Sequence, residues 1–210
     1  MIIIQRVLLL VGALLIASLS ACISLIKEPS PITVYSLRST DNSQNNAWPA
    51  VPWSLTITRP ISNTFLDSNR IAVRPEANIL KVYQGANWSD SLPDLVQEKL
   101  LETFENSGKI KAVSRQNSGV PAEVALMLDI RQFESVYISD QKKPNVLIQI
   151  HAKLLEYPSN RVITSKTFNA EVATNSKDIP DVVQAFETGL NTVNQEIVGW
   201  ALTNGHGKTK

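Results

Sequence analysis

The sequence predicts an α+β fold: a two-layer sandwich in which a mainly antiparallel sheet carries two amphipathic helices on one face. Residues 124–131 and 146–154 alternate between apolar and polar side chains, as strands with one buried face do. The turn residues Pro158-Ser159-Asn160 predict a hairpin, in which residues 161–172 form the returning strand. Residues 91–106 and 180–201 instead place apolar side chains three or four positions apart, as helices with one buried face do. A chain of this length is large enough to form one hydrophobic core without disulfides.

Shorter strands are predicted ahead of the first helix. Four segments are rich in residues that favour strands, and they lie at residues 33–37, 53–58, 70–74 and 79–83. The residues Pro75-Glu76-Ala77-Asn78 favour a turn, so the last two of these strands are predicted to form a hairpin. The polar stretch at 38–52 is predicted to be a loop.

The ends of both helices carry the residues that begin and stop helices. Ser91 is suited to cap the first helix, and Asp94 is favourable near its positive end. Gly108 supplies a residue that can adopt the left-handed conformation after the helix. Asp178 and Pro180 mark the start of the second helix, whose roughly 22 residues reach about 33 Å, enough to cross a sheet.

Residues 1–21 have the pattern of an export signal. After Arg6, the stretch from Val7 to Ala21 is apolar apart from one glycine and two serines, and it ends in small residues. A run of about 15 residues fits the apolar region of a secretory signal, whereas a membrane-spanning helix needs about 20. A single arginine is a weak positive start, so an uncleaved anchor stays open as the alternative.

The four residues Leu19, Ser20, Ala21 and Cys22 resemble a bacterial lipobox. Cys22 is the only cysteine, so it cannot form an internal disulfide, and lipidation would consume its thiol. The alternative is an incidental free thiol. The resemblance implies that the mature chain begins at Cys22 with a diacylglyceryl group and an N-acyl chain, a stable membrane attachment.

The residues after the cysteine indicate where the domain works. In the lipoproteins that this motif resembles, Asp in the next position favours retention at the inner membrane. Ile23 therefore implies the periplasmic face of the outer membrane, with the inner membrane as the alternative. Residues 22–32 form a tether that spans at most roughly 30–35 Å. A single domain is predicted over 33–203, followed by a flexible tail at 204–210.

The charge balance argues against nucleic acid as a partner. Removing residues 1–21 takes Arg6 from the 20 Lys and Arg residues and leaves as many basic as acidic residues, 19 of each. Binding to nucleic acid usually needs a basic surface that neutralises phosphates. No basic cluster follows Cys22 either, so attraction to lipid headgroups should be weak.

No residue pattern predicts catalysis. Of the two histidines, His151 lies on the polar side of a strand and His206 lies in the tail. Zinc would need three or four protein ligands, and no nucleophile elbow, phosphate loop or dinucleotide fingerprint is present in the sequence. We therefore predict that the chain is not an enzyme and has no metal or cofactor, apart from the acyl groups on Cys22.

Two aromatic residues have no periodic explanation. Tyr83 and Trp88 flank Gln-Gly-Ala-Asn just before the first helix. Trp88 can fill the end of the core over the helix start. Alternatively, Tyr83 and Trp88 can contact a partner or lipid, because both residue types are enriched at interfaces.

The order of several motifs resembles a known family. The lipobox is followed by Tyr35-Ser36-Leu37, by the segment 66–74, by Leu80-Lys81-Val82-Tyr83 with Trp88, and by a closing Ile197-Val198-Gly199-Trp200. Together these motifs resemble the auxiliary lipoproteins of ABC-type transport systems, the PqiC-like family, over about residues 35–200. Val73 departs from that pattern, because an aromatic residue is expected there, and a contact made by such a ring is not expected in this chain.

The resemblance implies a non-enzymatic part of an envelope transport system for lipid or another hydrophobic compound. Its partners would be an ABC permease and a periplasmic MCE-domain protein, which this chain would dock at the outer membrane. We take Tyr83, Trp88, Arg70 and Arg74 as candidate contact residues. Assembly with further copies of the chain stays open.

Two other functions compete with this one. The first is an outer-membrane lipoprotein that activates or assembles an envelope enzyme such as a peptidoglycan synthase. The short tether argues against it, because such activators need reach across the periplasm. The second is a lipid carrier with its own cavity, although the apolar faces are explained more simply as core.

Overall fold

The computed structural model of the chain describes residue 5 and residues 31–39, 47–137 and 142–205. The chain divides into two units, Met1–Pro31 and Ile32–Lys210, and the sheet lies in the second. The predicted signal segment, the lipobox, Cys22 and most of the predicted tail lie outside the described residues.

Within the described residues, the second unit contains nine strands and two helices. In chain order they are β1 (Thr33–Tyr35), β2 (Val51–Ile57), β3 (Ile61–Ser62), β4 (Arg70–Glu76), β5 (Ile79–Trp88), α1 (Leu92–Ser107), β6 (Ile110–Arg115), β7 (Val124–Val136), β8 (Asn145–Glu156), β9 (Arg161–Ala173) and α2 (Ile179–Asn204).

All nine strands belong to one mixed sheet, and the α+β class is confirmed. The long strands β7, β8 and β9 form an antiparallel meander, and β4 and β5 form the predicted hairpin. One edge of β7 is also paired, in chain order, with β2, β3 and β4, all of them parallel to it. β1 runs parallel to β5 and β6 parallel to β2. These short parallel pairings were not predicted.

The two helices contact each other and the sheet. α1 packs against β6, and α2 packs against β8 and β9. Gly108 ends α1 with φ of 59°, the left-handed conformation that the sequence predicts. Ser91 occupies the N-cap position of α1. Its hydroxyl bonds to the side chain of Asp94 rather than to a backbone N–H of the helix.

The meander has one apolar and one polar face. Its inward face is buried along β7 and β8, where it includes Leu126, Ile130, Ile148, Ile150 and Leu154. The opposite face, which we call the outward face, carries hydrogen bonds between neighbouring strands. These join Asn145 to Glu171 (2.7 Å), Gln149 to Asn169 (2.9 Å) and His151 to Thr167 (2.9 Å).

A bulge changes the alternation in the middle of β7. The pairing with β8 shifts between Ile130 and Gln132, so that Ile130 faces Ile150 but Gln132 faces Gln149. Beyond this point Phe133 rather than Gln132 belongs to the core. An extra residue in one strand produces this exchange of faces.

Within the described part of the chain, no helix combines the length and the apolar character needed to cross a membrane.

Candidate functional surface

Arg74, one of the predicted contact residues, is engaged inside the domain. Its Nε lies 2.9 Å from Glu134 Oε1 and its Nη2 lies 3.0 Å from Oε2, which makes a bidentate ion pair. Its Nη1 also donates to the carbonyl of Ala77, in the turn of the β4–β5 hairpin. The Glu134 side chain is 4 % exposed, so Arg74 neutralises a buried carboxylate and ties β4 to β7.

Tyr83 is half-buried and contacts the same part of β7. Its hydroxyl lies 2.9 Å from the hydroxyl of Ser135, one residue after Glu134. Burial raises the pKa of the Tyr83 hydroxyl above its ordinary value, while the hydrogen bond with Ser135 acts in the opposite direction. Tyr83 therefore stays neutral at physiological pH, and its hydroxyl is a donor or acceptor rather than a charge.

Trp88 lies in the hydrophobic core. It is 1 % exposed, and its ring meets Phe186 of α2 edge-on at 5.3 Å between centroids and Phe133 of β7 at 6.2 Å. Phe133 and Phe186 stack at 4.9 Å. Of the two roles considered for Trp88, a core residue or an interface residue, this burial agrees with the first. The ring packs between α2 and the sheet at the end of β5.

Arg70 is the member of the predicted set whose side chain is presented to solvent. It pairs with Asn87 across the hairpin, and Asn87 pairs with Val34 of β1, so the three residues form one row. Val34 and its neighbour Ile32 are 62 % and 60 % exposed. Among the described residues, none forms an ion pair with the Arg70 guanidinium. Of the four predicted contact residues, Trp88 therefore lies in the core, and Arg74 and Tyr83 bond to β7. Arg70 is exposed to solvent.

Sequence reasoning missed a second group of exposed side chains. Ile61, Met127 and Val162 are 61 %, 40 % and 57 % exposed, and we call them the outward apolar patch. Met127 and Val162 occupy positions in β7 and β9 where the alternation calls for polar residues. An apolar residue on the polar face of an amphipathic strand is the signal that could have identified them.

Arg59 holds the segment that carries Ile61 against helix α1. Its Nε lies 2.8 Å from Asp94 Oδ1, in the first turn of α1. Its Nη2 lies 2.8 Å from Asp67 Oδ1 and 3.1 Å from the hydroxyl of Ser91. The hydrogen bonds that Arg59 donates lower the pKa of both carboxyl groups below the ordinary value. The same bonds, accepted by Asp67 and Asp94, raise the pKa of Arg59.

Replacing Arg59 should change the titration of Asp94. A carboxyl group with a lowered pKa in the folded state stabilises the fold above its unfolded pKa, and this contribution disappears as the pH falls through the folded pKa. In Arg59→Gln, NMR titration should show the pKa of Asp94 moving up toward its ordinary value, with a smaller loss of stability on acidification. Arg131→Gln, which removes an exposed cation beside Asp129, is the control and should leave Asp94 unchanged. An unaltered Asp94 titration in Arg59→Gln would show that the carboxyl group is not held by this arginine.

The described residues offer no evident metal site. No group of three or more His, Cys, Asp and Glu side chains in this part of the chain is placed to hold a metal ion.

The comparison with known families decides what kind of protein this is. The sequence profile of a family described as "ABC-type transport auxiliary lipoprotein component" matches residues 35–198. The chain belongs to this family. The family recognised from the order of its motifs is thereby confirmed, and the matched residues include β2 to β9, both faces of the sheet and most of α2.

Solved structures and a further protein sequence are similar to this chain. A crystal structure of protein XCC0632 from Xanthomonas campestris is 38 % identical, with a TM-score of 0.78 over 82 % of this auxiliary lipoprotein and 96 % of that chain. A crystal structure of an uncharacterised protein, 12 % identical, shares the fold with a TM-score of 0.61 over 80 % of this chain and 97 % of that one. An uncharacterised protein of Bradyrhizobium diazoefficiens is 25 % identical over 174 residues, 83 % of this chain. The chain spans about half the length of that relative, 46 %.

Proposed function

We propose that this auxiliary lipoprotein is held by acyl chains on Cys22 at the periplasmic face of the outer membrane. There it docks the periplasmic MCE-domain protein of an ABC-type transport system that moves lipid or another hydrophobic compound. The observation that carries the proposal is the family match over residues 35–198, downstream of the lipobox that ends in Cys22. Ile23, in place of Asp, supports the outer membrane over the inner membrane.

The role proposed for the domain is binding rather than chemistry. ATP hydrolysis would supply the energy at the permease complex, and the domain would hold the periplasmic component next to its membrane. A tether of about ten residues limits the reach of the domain to roughly 30–35 Å. This short reach favours a partner that itself crosses the periplasm over an enzyme at a distant site.

The arrangement of the helices supports the same role. We infer that α1 and α2 share one face of the sheet in a two-layer sandwich, because they contact each other and α2 covers the inward face of β8 and β9. The outward face of the meander then stays uncovered by α1 and α2. A rigid sheet with one exposed face is well suited to present side chains to a protein partner.

Affinity purification tests this function. The full-length chain, tagged after Lys210, is expressed in its native host, and the envelope is solubilised in mild detergent. We expect an MCE-domain protein and its ABC permease to co-purify with it. An unrelated outer-membrane lipoprotein with the same tag is the control and should recover neither protein. Recovery of a peptidoglycan synthase alone would overturn the proposal in favour of the activator alternative.

A further inference from the structure

Strand β9 forms an open edge of the sheet. Among the strands that the structure describes, it pairs with β8 alone. In an antiparallel pair, alternate residues direct their backbone N–H and C=O groups away from the neighbouring strand. No described residue outside β8 and the β8–β9 turn forms a hydrogen bond with the backbone of β9. This edge is therefore a row of backbone donors and acceptors without protein partners.

The edge is long and regular. β9 has 13 residues, whereas an average strand has about 5–6. It contains no proline, and after one irregularity near Val162 its pairing with β8 continues unbroken from Thr164 to Ala173. Phe168 is the one residue of β9 that is buried. Proteins usually keep edge strands short, bulged, covered or interrupted by proline, so an edge of this kind favours pairing with another strand.

The charged side chains of β9 are engaged within the sheet. Arg161 forms an ion pair with Glu156 of β8, with 3.1 Å between Nε and Oε2. Lys166 places its ammonium group 4.9 Å from the ring centroid of Phe168 in its own strand. Glu171 accepts a hydrogen bond of 2.7 Å from the side-chain amide at the start of β8. Charges protect an edge when they project past it, and these three are held back from it.

The backbone of β9 defines the chemistry of its occupant. From Thr164 to Ala173 the donors and acceptors recur over about 33 Å, at about 3.3 Å per residue. An extended polypeptide matches this series group for group, as in strand addition to a sheet edge. A lipid surface has no series of alternating amide donors and acceptors at this spacing. The occupant is therefore a β-strand.

A second copy of β9 is complementary to this edge. A two-fold axis perpendicular to the sheet pairs two antiparallel copies so that opposing residues lie on the same face. The axis can pass at Thr167, Phe168 or Asn169 with most of the strand paired. In all three registers, Lys166 and Glu171 lie opposite uncharged residues of the other copy. An axis at Lys166 would instead set this cation against its own copy, and like charges directly opposite each other destabilise a strand pair.

Pairing between two copies also closes both open edges. Each copy supplies an edge of the same length, so one contact covers β9 in both molecules and leaves neither edge for a third strand. A different protein would need an unpaired extended segment of about ten residues to cover the same stretch, and it would cover only one edge. The symmetric closure favours a second copy as the occupant.

We propose that two copies of the chain associate through antiparallel pairing of their β9 strands, with the two-fold axis within Thr167–Asn169. The two sheets then join into one continuous sheet. This association does not depend on the identity of the transport partner and goes beyond the proposed function.

Disulfide crosslinking in the intact envelope tests the pairing. Thr167→Cys or Asn169→Cys is introduced into the full-length chain, which is expressed in copies with tags of two sizes. On mild oxidation, Thr167→Cys, Asn169→Cys or a mixture of the two should give a disulfide-linked dimer that contains both tags. Lys153→Cys is the matched control, because Lys153 is exposed on the same face but lies on β8, whose two edges are paired. This control and the wild type, whose cysteine is Cys22, should give no dimer.

Three results would overturn the proposal. The first is the absence of a dimer from all three samples that carry a cysteine in β9. The second is a dimer of Lys153→Cys in the same yield. The third is a disulfide that joins β9 to a different protein instead of a second copy.

Charge substitutions give a second test without added thiols. Thr167→Lys combined with Asn169→Lys sets cations against each other near the axis. It should lower the dimer fraction of the detergent-solubilised chain in sedimentation at least about fivefold. Thr167→Glu combined with Asn169→Glu should do the same, whereas a mixture of the lysine and glutamate chains should recover the dimer.

Recovery in the mixture distinguishes repulsion at the edge from misfolding. If both variants are folded by circular dichroism and their mixture stays monomeric, the proposed pairing is wrong. Both experiments measure association between copies of this chain. Their failure would leave the proposed function standing, and that function fails separately if the MCE-domain protein is not recovered.

Discussion

Cys22→Ala is expected to abolish acylation of the chain completely. In the proposed attachment, the thioether to the diacylglyceryl group forms at this sulfur, and an alanine cannot form it. Each buried methylene of an acyl chain contributes about 0.8 kcal/mol to membrane attachment, so loss of all chains removes an anchor that no basic cluster replaces. Metabolic labelling with a clickable palmitate analogue should show no label, and the variant should be either unanchored or uncleaved.

Two controls make the result specific. Ser24→Ala lies outside the lipobox and should keep both the label and the membrane fraction. The mass of the N-terminal peptide distinguishes a cleaved from an uncleaved chain. Acyl label that persists in Cys22→Ala would contradict the lipobox. An unmodified wild-type chain that begins at residue 1 and stays in the membrane would support the uncleaved anchor.

Arg74→Met should destabilise the domain by up to about 3–5 kcal/mol, the typical cost of removing one partner from a buried ion pair, although the Arg74 side chain itself is 28 % exposed. The Glu134 side chain is 4 % exposed, and Arg74 donates two hydrogen bonds to its carboxylate. Without the arginine, that carboxylate is left buried with neither a counter-charge nor those donors. Urea denaturation of the mature chain, with Cys22 replaced by Ala in both proteins, measures the difference in unfolding free energy.

The double variant separates the ion pair from simple loss of packing. Arg74→Met combined with Glu134→Leu should recover most of the stability, because two apolar groups no longer leave a buried charge. Arg161→Met is the matched control, since its partner Glu156 is in an exposed pair and the loss should be far smaller. Equal losses for Arg74→Met and Arg161→Met would contradict a structural role for Arg74.

The long strands and helices could be predicted because their apolar residues recur at a regular spacing over many residues. β8 alternates between apolar and polar side chains from Ile148 to Leu154, and both helices keep apolar spacing over several turns, so each pattern identifies one buried face. β3 was missed because two residues, Ile61 and Ser62, carry no period. The parallel pairing of β2, β3 and β4 along β7 depends on contacts between segments far apart in the chain, which local alternation does not encode.

The same limit explains the outcome for the candidate contacts. Arg74 and Glu134 are 60 residues apart, and their ion pair depends on the register of β4 against β7. Trp88 had two interpretations because an aromatic residue just before a helix fits both a core and an interface. Met127 and Val162 could have been singled out, because apolar residues on an otherwise polar face break the pattern that identified their strands.

Lipid transport in living cells tests most directly whether anchoring is part of the function. In a strain that lacks the chain, transfer of labelled phospholipid between inner and outer membrane is measured with the wild type, or with a soluble periplasmic form. The soluble form carries a cleavable signal without a lipobox, is expressed at equal abundance, and keeps residues 23–210. We predict that the wild type restores transfer and that the soluble form restores less than about a tenth of it. Full restoration by the soluble form would contradict an anchored docking role.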